Sequence, residues 1–213
     1  MVLLWFAAVL ALVYLVFYCY RPASWPKTVI KTLSVLLLAV IAWQAGASGW
    51  LIAALTLCAL GDFLLSREDE QSFLAGVGAF ALGHVAYIIL FSGTPAARID
   101  RLLTVPQIFI TGSLAVLAVV MARILLPRAG NLAGPVLAYI PIICGMGIAA
   151  LTLPLNGQWA RVLPGALLFV LSDFVLAMEM FVLPKAAQAR RFTPFIVWLT
   201  YWGAQFSLFS SFT

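Results

Sequence analysis

The sequence predicts an all-α fold, a polytopic membrane bundle of eight transmembrane helices. Three observations predict it. Of the 213 residues, 65% are hydrophobic and only 9% are charged, against roughly 25% charged in a soluble domain. Mean hydropathy is +1.12. The apolar residues form continuous runs close to the ~20 residues that cross a ~30 Å hydrocarbon core, not the ~10-residue alternation of barrel strands. Too few charges remain to cover a water-soluble surface, which excludes soluble enzyme folds, nucleic-acid-binding domains and disordered tails.

Breaking the runs at charges, Pro and Gly gives segments 2–20, 28–45, 49–66, 72–92, 103–125, 133–153, 162–183 and 194–211. The first lacks a basic leader and is read as a retained span, not a cleaved signal. The third and seventh each carry an acid, and the fourth carries the single histidine. Pro106 lies near the start of the fifth and Pro127 near its end. Pro141 falls inside the sixth and is expected to kink it. Pro164 and Pro184 bracket the seventh, and Pro194 opens the eighth. So little chain remains for loops that 1–213 reads as one integral membrane domain, with any chemistry in the bundle or at its mouth.

The odd loops hold Arg21, Lys27, Lys31, Arg67, Arg123, Arg128, Lys185, Arg190 and Arg191, and the even loops Arg98, Arg101 and Arg161. The positive-inside rule then puts the odd loops in the cytoplasm and both termini on the other side. A multi-pass protein of a bacterial inner membrane is expected. Trp5, Trp25, Trp43, Trp50 and Trp159 fall near the segment ends, as interfacial anchors do.

A weak internal repeat is present. Residues 60–68 align with 171–179 at an offset of 111, matching Leu60/Leu171, Asp62/Asp173, Phe63/Phe174, Leu65/Leu176 and Glu68/Glu179. The offset equals four helices, so 1–100 and 101–213 read as two parallel four-helix repeats.

The chain has seven acids. Glu68, Asp69, Glu70 and Asp100 lie in loops and read as solvated caps. Asp62 and Asp173 are embedded in apolar helices, where a bare carboxylate costs roughly 2.5–3.5 kcal/mol at mid-span. Such groups face the bundle interior and mark function more often than structure. Two acids sharing one dry cavity do not both ionise easily, which leaves a proton donor beside a carboxylate. General acid–base hydrolysis needs that arrangement. Structural acids bonded to neighbouring helices are the plainer alternative.

Glu179 lies near the cytoplasmic end of the seventh segment, where it either reaches the interface, binds Lys185 or joins a site. In the fourth, Gly76, Phe80, His84 and Tyr87 share one face. In the eighth, Trp198, Tyr201 and Gln205 share another. His84 and Gln205 read either as site groups or as helix–helix hydrogen bonds. Gly76, Gly78 and Gly83 read as places of close helix packing, not phosphate binding. Cys19, Cys58 and Cys144 are odd in number and scattered, and one histidine is too few for a catalytic zinc. No metal and no cofactor is expected.

The runs GDFLL at 61–65, FLAGVGAFALGHVAY at 73–87, SDFVLAMEMF at 172–181 and YWGAQ at 201–205 come in an order and spacing that resemble the YhhN-like family of eight-span membrane proteins. Its animal members include lysoplasmalogenases. The resemblance implies hydrolysis of the vinyl-ether bond of a lysoplasmalogen to a fatty aldehyde and glycerophosphoethanolamine or glycerophosphocholine. The family's polar positions carry over onto Asp62, His84, Tyr87, Asp173, Tyr201 and Gln205. Vinyl-ether cleavage passes through an oxocarbenium-like cation, a problem that glycosidases solve with two carboxyl groups. Asp62 and Asp173 are expected to divide those catalytic roles. His84, Tyr87, Tyr201, Gln205 and Glu179 are assigned to substrate binding, and Arg67 to the lipid phosphate. The partner is thus a lysophospholipid within the membrane, with no nucleic acid. Two other readings stand: a hydrolase of another lysolipid or ether lipid, and a transporter of small solutes or lipids using the buried acids. A purely structural subunit would make both acids dispensable except for stability.

Overall fold

The computed structural model describes residues 2–67 and 69–213. The sequence expectations about Glu68, its loop position and its match to Glu179, lie outside the described residues. All regular structure among the described residues is helical, in the order α1 Val2–Val13, α2 Trp25–Gln44, α3 Gly49–Leu64, α4 Glu70–Ser92, α5 Gln107–Leu125, α6 Ala133–Ala150, α7 Val162–Phe181 and α8 Thr193–Phe212. Short 3-10 turns join the later helices, and a π-helical turn, Tyr14–Tyr18, prolongs α1. Each predicted segment coincides with one helix. Five helical stretches are long and apolar enough to cross a membrane: Trp25–Gln44, Glu70–Ser92, Gln107–Arg128, Gly130–Ala150 and Gly157–Phe181. Val2–Tyr18 and Gly49–Leu64 are apolar but shorter. Helices α1 and α5 expose Trp5, Phe6, Val9, Leu12, Phe109, Val116 and Val119. Lipid tolerates such faces, and water does not.

Two starts differ from the sequence reading by three residues or more. Helix α2 begins earlier, at Trp25, because Ser24 caps it: the Lys27 N–H donates to Ser24 Oγ at 3.4 Å, and Pro26 fills the first turn. Helix α5 begins later, at Gln107. Residues Ile99–Leu103 instead form a 3-10 turn, and the Val105–Pro106 peptide is cis. Pro141 lies within α6, and the helix continues through it to Ala150.

The chain packs as two compact units, Met1–Tyr87 with Phe212–Thr213, and Ile88–Ser211. In the first, α2 packs on both α1 and α3. Its turn into α3 is a Schellman motif, with Gly46 at φ 68°. The Ala47 N–H donates to Ala42 O and the Gly46 N–H to Trp43 O, both at 3.0 Å. Ser48 then caps α3 through the Trp50 N–H at 3.3 Å. The buried stripe of α3 is Leu51, Ala54, Leu55, Cys58, Ala59, Gly61 and Asp62. That helical spacing puts Asp62 on the packed face and not toward lipid. Helix α4 lies close along α3. A Cβ on Gly83 would sit 2.8 Å from Cys58 Sγ, and one on Gly76 would sit 2.9 Å from the Leu65 side chain. Gly78 has nothing within 4 Å of such a Cβ, so two of the three glycines mark the contact.

In the second unit, α6 packs on α5 and α7. Gly147 meets Leu114 and Val170 there, and Met121, Leu125 and Ile140 form a core with Phe174 and Met178 around it. Helices α7 and α8 touch at Gly165, against Ser207 and Leu208. They are also joined by Ser172 Oγ, which donates to Val197 O at 3.2 Å.

Candidate functional site

Asp62 is 1% exposed, two residues before the end of α3. Its Oδ1 lies 2.9 Å from Nζ of Lys31 on α2. The sequence reading counted Lys31 with the loop cations; it is instead the counter-charge of the most buried acid among the described residues. Tyr14 is buried close enough to feel both charges. A carboxylate in a dry helix pair keeps its charge only when a cation neutralises it, and Lys31 does so.

Arg67 closes the same end of the α2–α3 pair. Its Nη2 donates to Thr28 Oγ1 at 2.7 Å, and its guanidinium stands 4.3 Å from the Trp25 ring centroid and 5.0 Å from that of Phe63. Ser66 Oγ donates back to Asp62 O at 2.7 Å, tying this turn to the acid.

His84 and Tyr87 are both fully buried. They sit on the α4 face that meets α3, where Phe80 packs on Gly61, and Gly83 and Tyr87 neighbour Cys58. Cys58 lies one turn before Asp62, so α3 and α4 bring Asp62, His84 and Tyr87 onto one seam of the first unit.

In the second unit, Asp173 is half-buried on α7 and accepts a short hydrogen bond from the Tyr139 hydroxyl of α6 at Oδ2. Tyr201 is buried on α8. It packs edge-on against Phe169 at 5.4 Å and against Trp198 at 5.8 Å. Phe169 is one turn before Asp173, which sets Tyr201 beside the acid-bearing stretch of α7. Gln205 lies one turn further along α8 and is fully buried.

Glu179 pairs with Arg190 at 3.6 Å, not with Lys185. Arg190 also donates to the carbonyls of Glu179, Leu183 and Pro184, so the pair closes the C-terminal end of α7. No group of three or more metal-ligating side chains occurs among the described residues.

Lys31, Tyr139 and Arg190 are the polar partners that the sequence reading missed. Register gives a signal for two of them. Lys31 stands thirteen residues before the end of α2, and Asp62 thirteen after the start of α3. Tyr139 stands eleven before the end of α6, and Asp173 eleven after the start of α7. In a helical hairpin, residues equidistant from the turn lie at one depth.

These polar helices match a known family model, that of the YhhN family, over residues 26–212. The chain belongs to the YhhN family. It is 30% identical over 192 residues to a Mus musculus protein named lysoplasmalogenase TMEM86B, covering 88% of this chain and 76% of that one. A Mycobacterium tuberculosis protein named lysoplasmalogenase is 31% identical over 169 residues, 76% of this chain and 60% of that one. An Escherichia coli O157:H7 relative, named uncharacterized membrane protein YhhN, is 41% identical over 78 residues, 34% of this chain and 36% of that one. No solved structure matches. This YhhN-family chain thus carries its two intrahelical aspartates at the third helix of each set of four, each with a donor on the helix before it.

Proposed function

We propose that this chain is a membrane hydrolase of the lysoplasmalogenase type. It cleaves the vinyl-ether bond of a lysoplasmalogen to a fatty aldehyde and glycerophosphoethanolamine or glycerophosphocholine. The observation that carries the reading is the match, across 88% of this chain, to a relative bearing that name. Two polar centres built on aspartates inside an apolar protein are the chemistry that such a reaction uses.

The two acids are assigned the donor and acceptor roles of the reaction between them. Asp62 is ion-paired with Lys31. Asp173 accepts from the Tyr139 hydroxyl. The protonated acid gives its proton to the β-carbon of the vinyl ether, and an oxocarbenium ion forms at the ether carbon. Water adds to that carbon and loses a proton to the carboxylate. The hemiacetal C–O bond then breaks: the glycerol oxygen takes that proton back, the hemiacetal hydroxyl gives its own to the first acid, and aldehyde and alcohol leave. The reaction consumes one water and needs no redox partner. His84, Tyr87, Tyr201 and Gln205, all buried, are assigned to orienting the water, the ether oxygen and the glycerol hydroxyl. Glu179, locked to Arg190, is assigned to fixing the end of α7 beneath the lipid. The loops bearing Arg21, Arg67, Arg128 and Arg190 are assigned to the cytoplasmic side.

The test is aldehyde release by the purified protein from a lysoplasmalogen and from its ester analogue. Aldehyde from the vinyl ether, with the ester left intact, is the expected result. Fatty acid released from the ester at a similar rate would make it a general lysolipid hydrolase. Turnover of neither lipid by well-folded protein would end the hydrolase reading.

A further inference from the structure

Beside the Asp62 centre, a cavity of about 460 Å³ is lined by Ala23, Ser24, Trp25, Ser66, Arg67 and Asp69. Ligand sites commonly span roughly 300–1,000 Å³. The cavity joins the capped start of α2 to the turn after α3. Arg67 is held there by two aromatic rings and Thr28. Its Nε is buried and makes no hydrogen bond among the described residues. An arginine fixed in plane with donor capacity to spare is built for an oxyanion. Ser24, whose Oγ only accepts from the Lys27 N–H, adds a hydroxyl hydrogen to the same wall. Asp69 adds the opposite charge, its Oδ1 accepting the Ser72 N–H at 2.8 Å. That bond holds the Asp69 carboxyl below its ordinary range, so it is ionised at neutral pH. One cavity therefore presents a cation and an anion side by side.

We propose that this cavity binds the zwitterionic headgroup of the lysolipid, with its phosphate on Arg67 and Ser24 and its ammonium at Asp69. The assignment rests on the hydrolase reading above, and depth favours it. Arg67 follows Asp62 by five residues, beyond the end of α3 at Leu64, and its partner Thr28 precedes Lys31 by three, less than one turn of α2. The phosphate and vinyl-ether carbons of an extended lysoplasmalogen are separated by roughly 8 Å, judged from ordinary bond lengths. A phosphate on Arg67 thus leaves enough lipid to reach the level of Asp62. The two contacts between α2 and α3, Arg67 with Thr28 and Asp62 with Lys31, hold the headgroup site and the acid on one rigid pair of helices.

The test uses the full chain in nanodiscs with three vinyl-ether substrates. One bears phosphoethanolamine, one bears phosphoglycerol, and one is a 1-alkenylglycerol without phosphate. Arg67→Gln is expected to raise KM at least tenfold for both phosphate-bearing lipids, to leave kcat nearly unchanged, and to spare the alkenylglycerol. Arg67→Lys falls between. Asp69→Asn keeps an oxygen for the Ser72 N–H and is expected to raise KM for the ethanolamine lipid alone. Equal losses on all three substrates, or no change in KM, would overturn the headgroup site.

Calorimetric binding of glycerophosphoethanolamine and of inorganic phosphate separates this site from the reaction. A wild type that releases no aldehyde, yet binds glycerophosphoethanolamine through Arg67 and Asp69, keeps the site and removes the hydrolase. Phosphate bound as tightly, with no effect of Asp69→Asn, would make the cavity a simple anion site and overturn the assignment.

Discussion

Lys31 and Asp62 form an ion pair with the acid 1% exposed and the lysine 19% exposed. Removing one partner of such a pair strands the other charge, a loss of about 3–5 kcal/mol. Lys31→Met is expected to destabilise by that order in thermal unfolding, and adding Asp62→Asn to recover a large part of it. Losses that simply add would show that the two groups are not coupled. Outside the spans, Asp69 caps α4, and its hydrogen bond to Ser72 lowers its carboxyl from the ordinary value. A carboxyl lowered by folding stabilises above its unfolded pKa, about 3.9, and that stabilisation is lost as pH falls through the folded value. Wild type is therefore expected to unfold at higher temperature than Asp69→Asn at pH 7, with the gap closing below about pH 4. A gap that is constant with pH would contradict the cap. The acids themselves were legible because a charge inside an apolar run has few explanations. Their partners were not, because Lys31 sits near a run of basic residues and Tyr139 resembles any interfacial tyrosine. Both emerge once hairpin register is counted.

The helices were legible as elements because lipid imposes both their length and their continuity. Their ends were less so. Ser24 moves the start of α2 outward, and the 3-10 turn at Ile99–Leu103 moves the start of α5 inward. Local hydrogen bonding decides both, and hydropathy is blind to it. Close packing was legible only as a class of small residues. Gly83 has Cys58 Sγ at 2.8 Å and Ala54 O at 3.3 Å from a built Cβ, whereas Gly78 has open space. Gly83→Val is expected to push α3 and α4 apart, cost about 1–3 kcal/mol, and reduce activity through the Asp62 seam. Gly78→Ala is expected to be neutral or stabilising by up to about 1 kcal/mol. Thermal unfolding of the two variants side by side checks this, and equal effects would contradict the packing.

The membrane class followed from composition, and membership of the YhhN family is shown over residues 26–212. Both aspartates belong to the third helix of a group of four, and each is met by a donor from the helix before. The donors differ, one a cation and one a hydroxyl. In the proposed reaction two like groups take unlike roles, and their partners differ. The most direct measurement is aldehyde release from a lysoplasmalogen by wild type, Asp62→Asn and Asp173→Asn, each confirmed folded by its thermal transition. Wild-type release that falls by roughly 100-fold or more in both variants is predicted. Release that persists in either folded variant would contradict the two-carboxylate account.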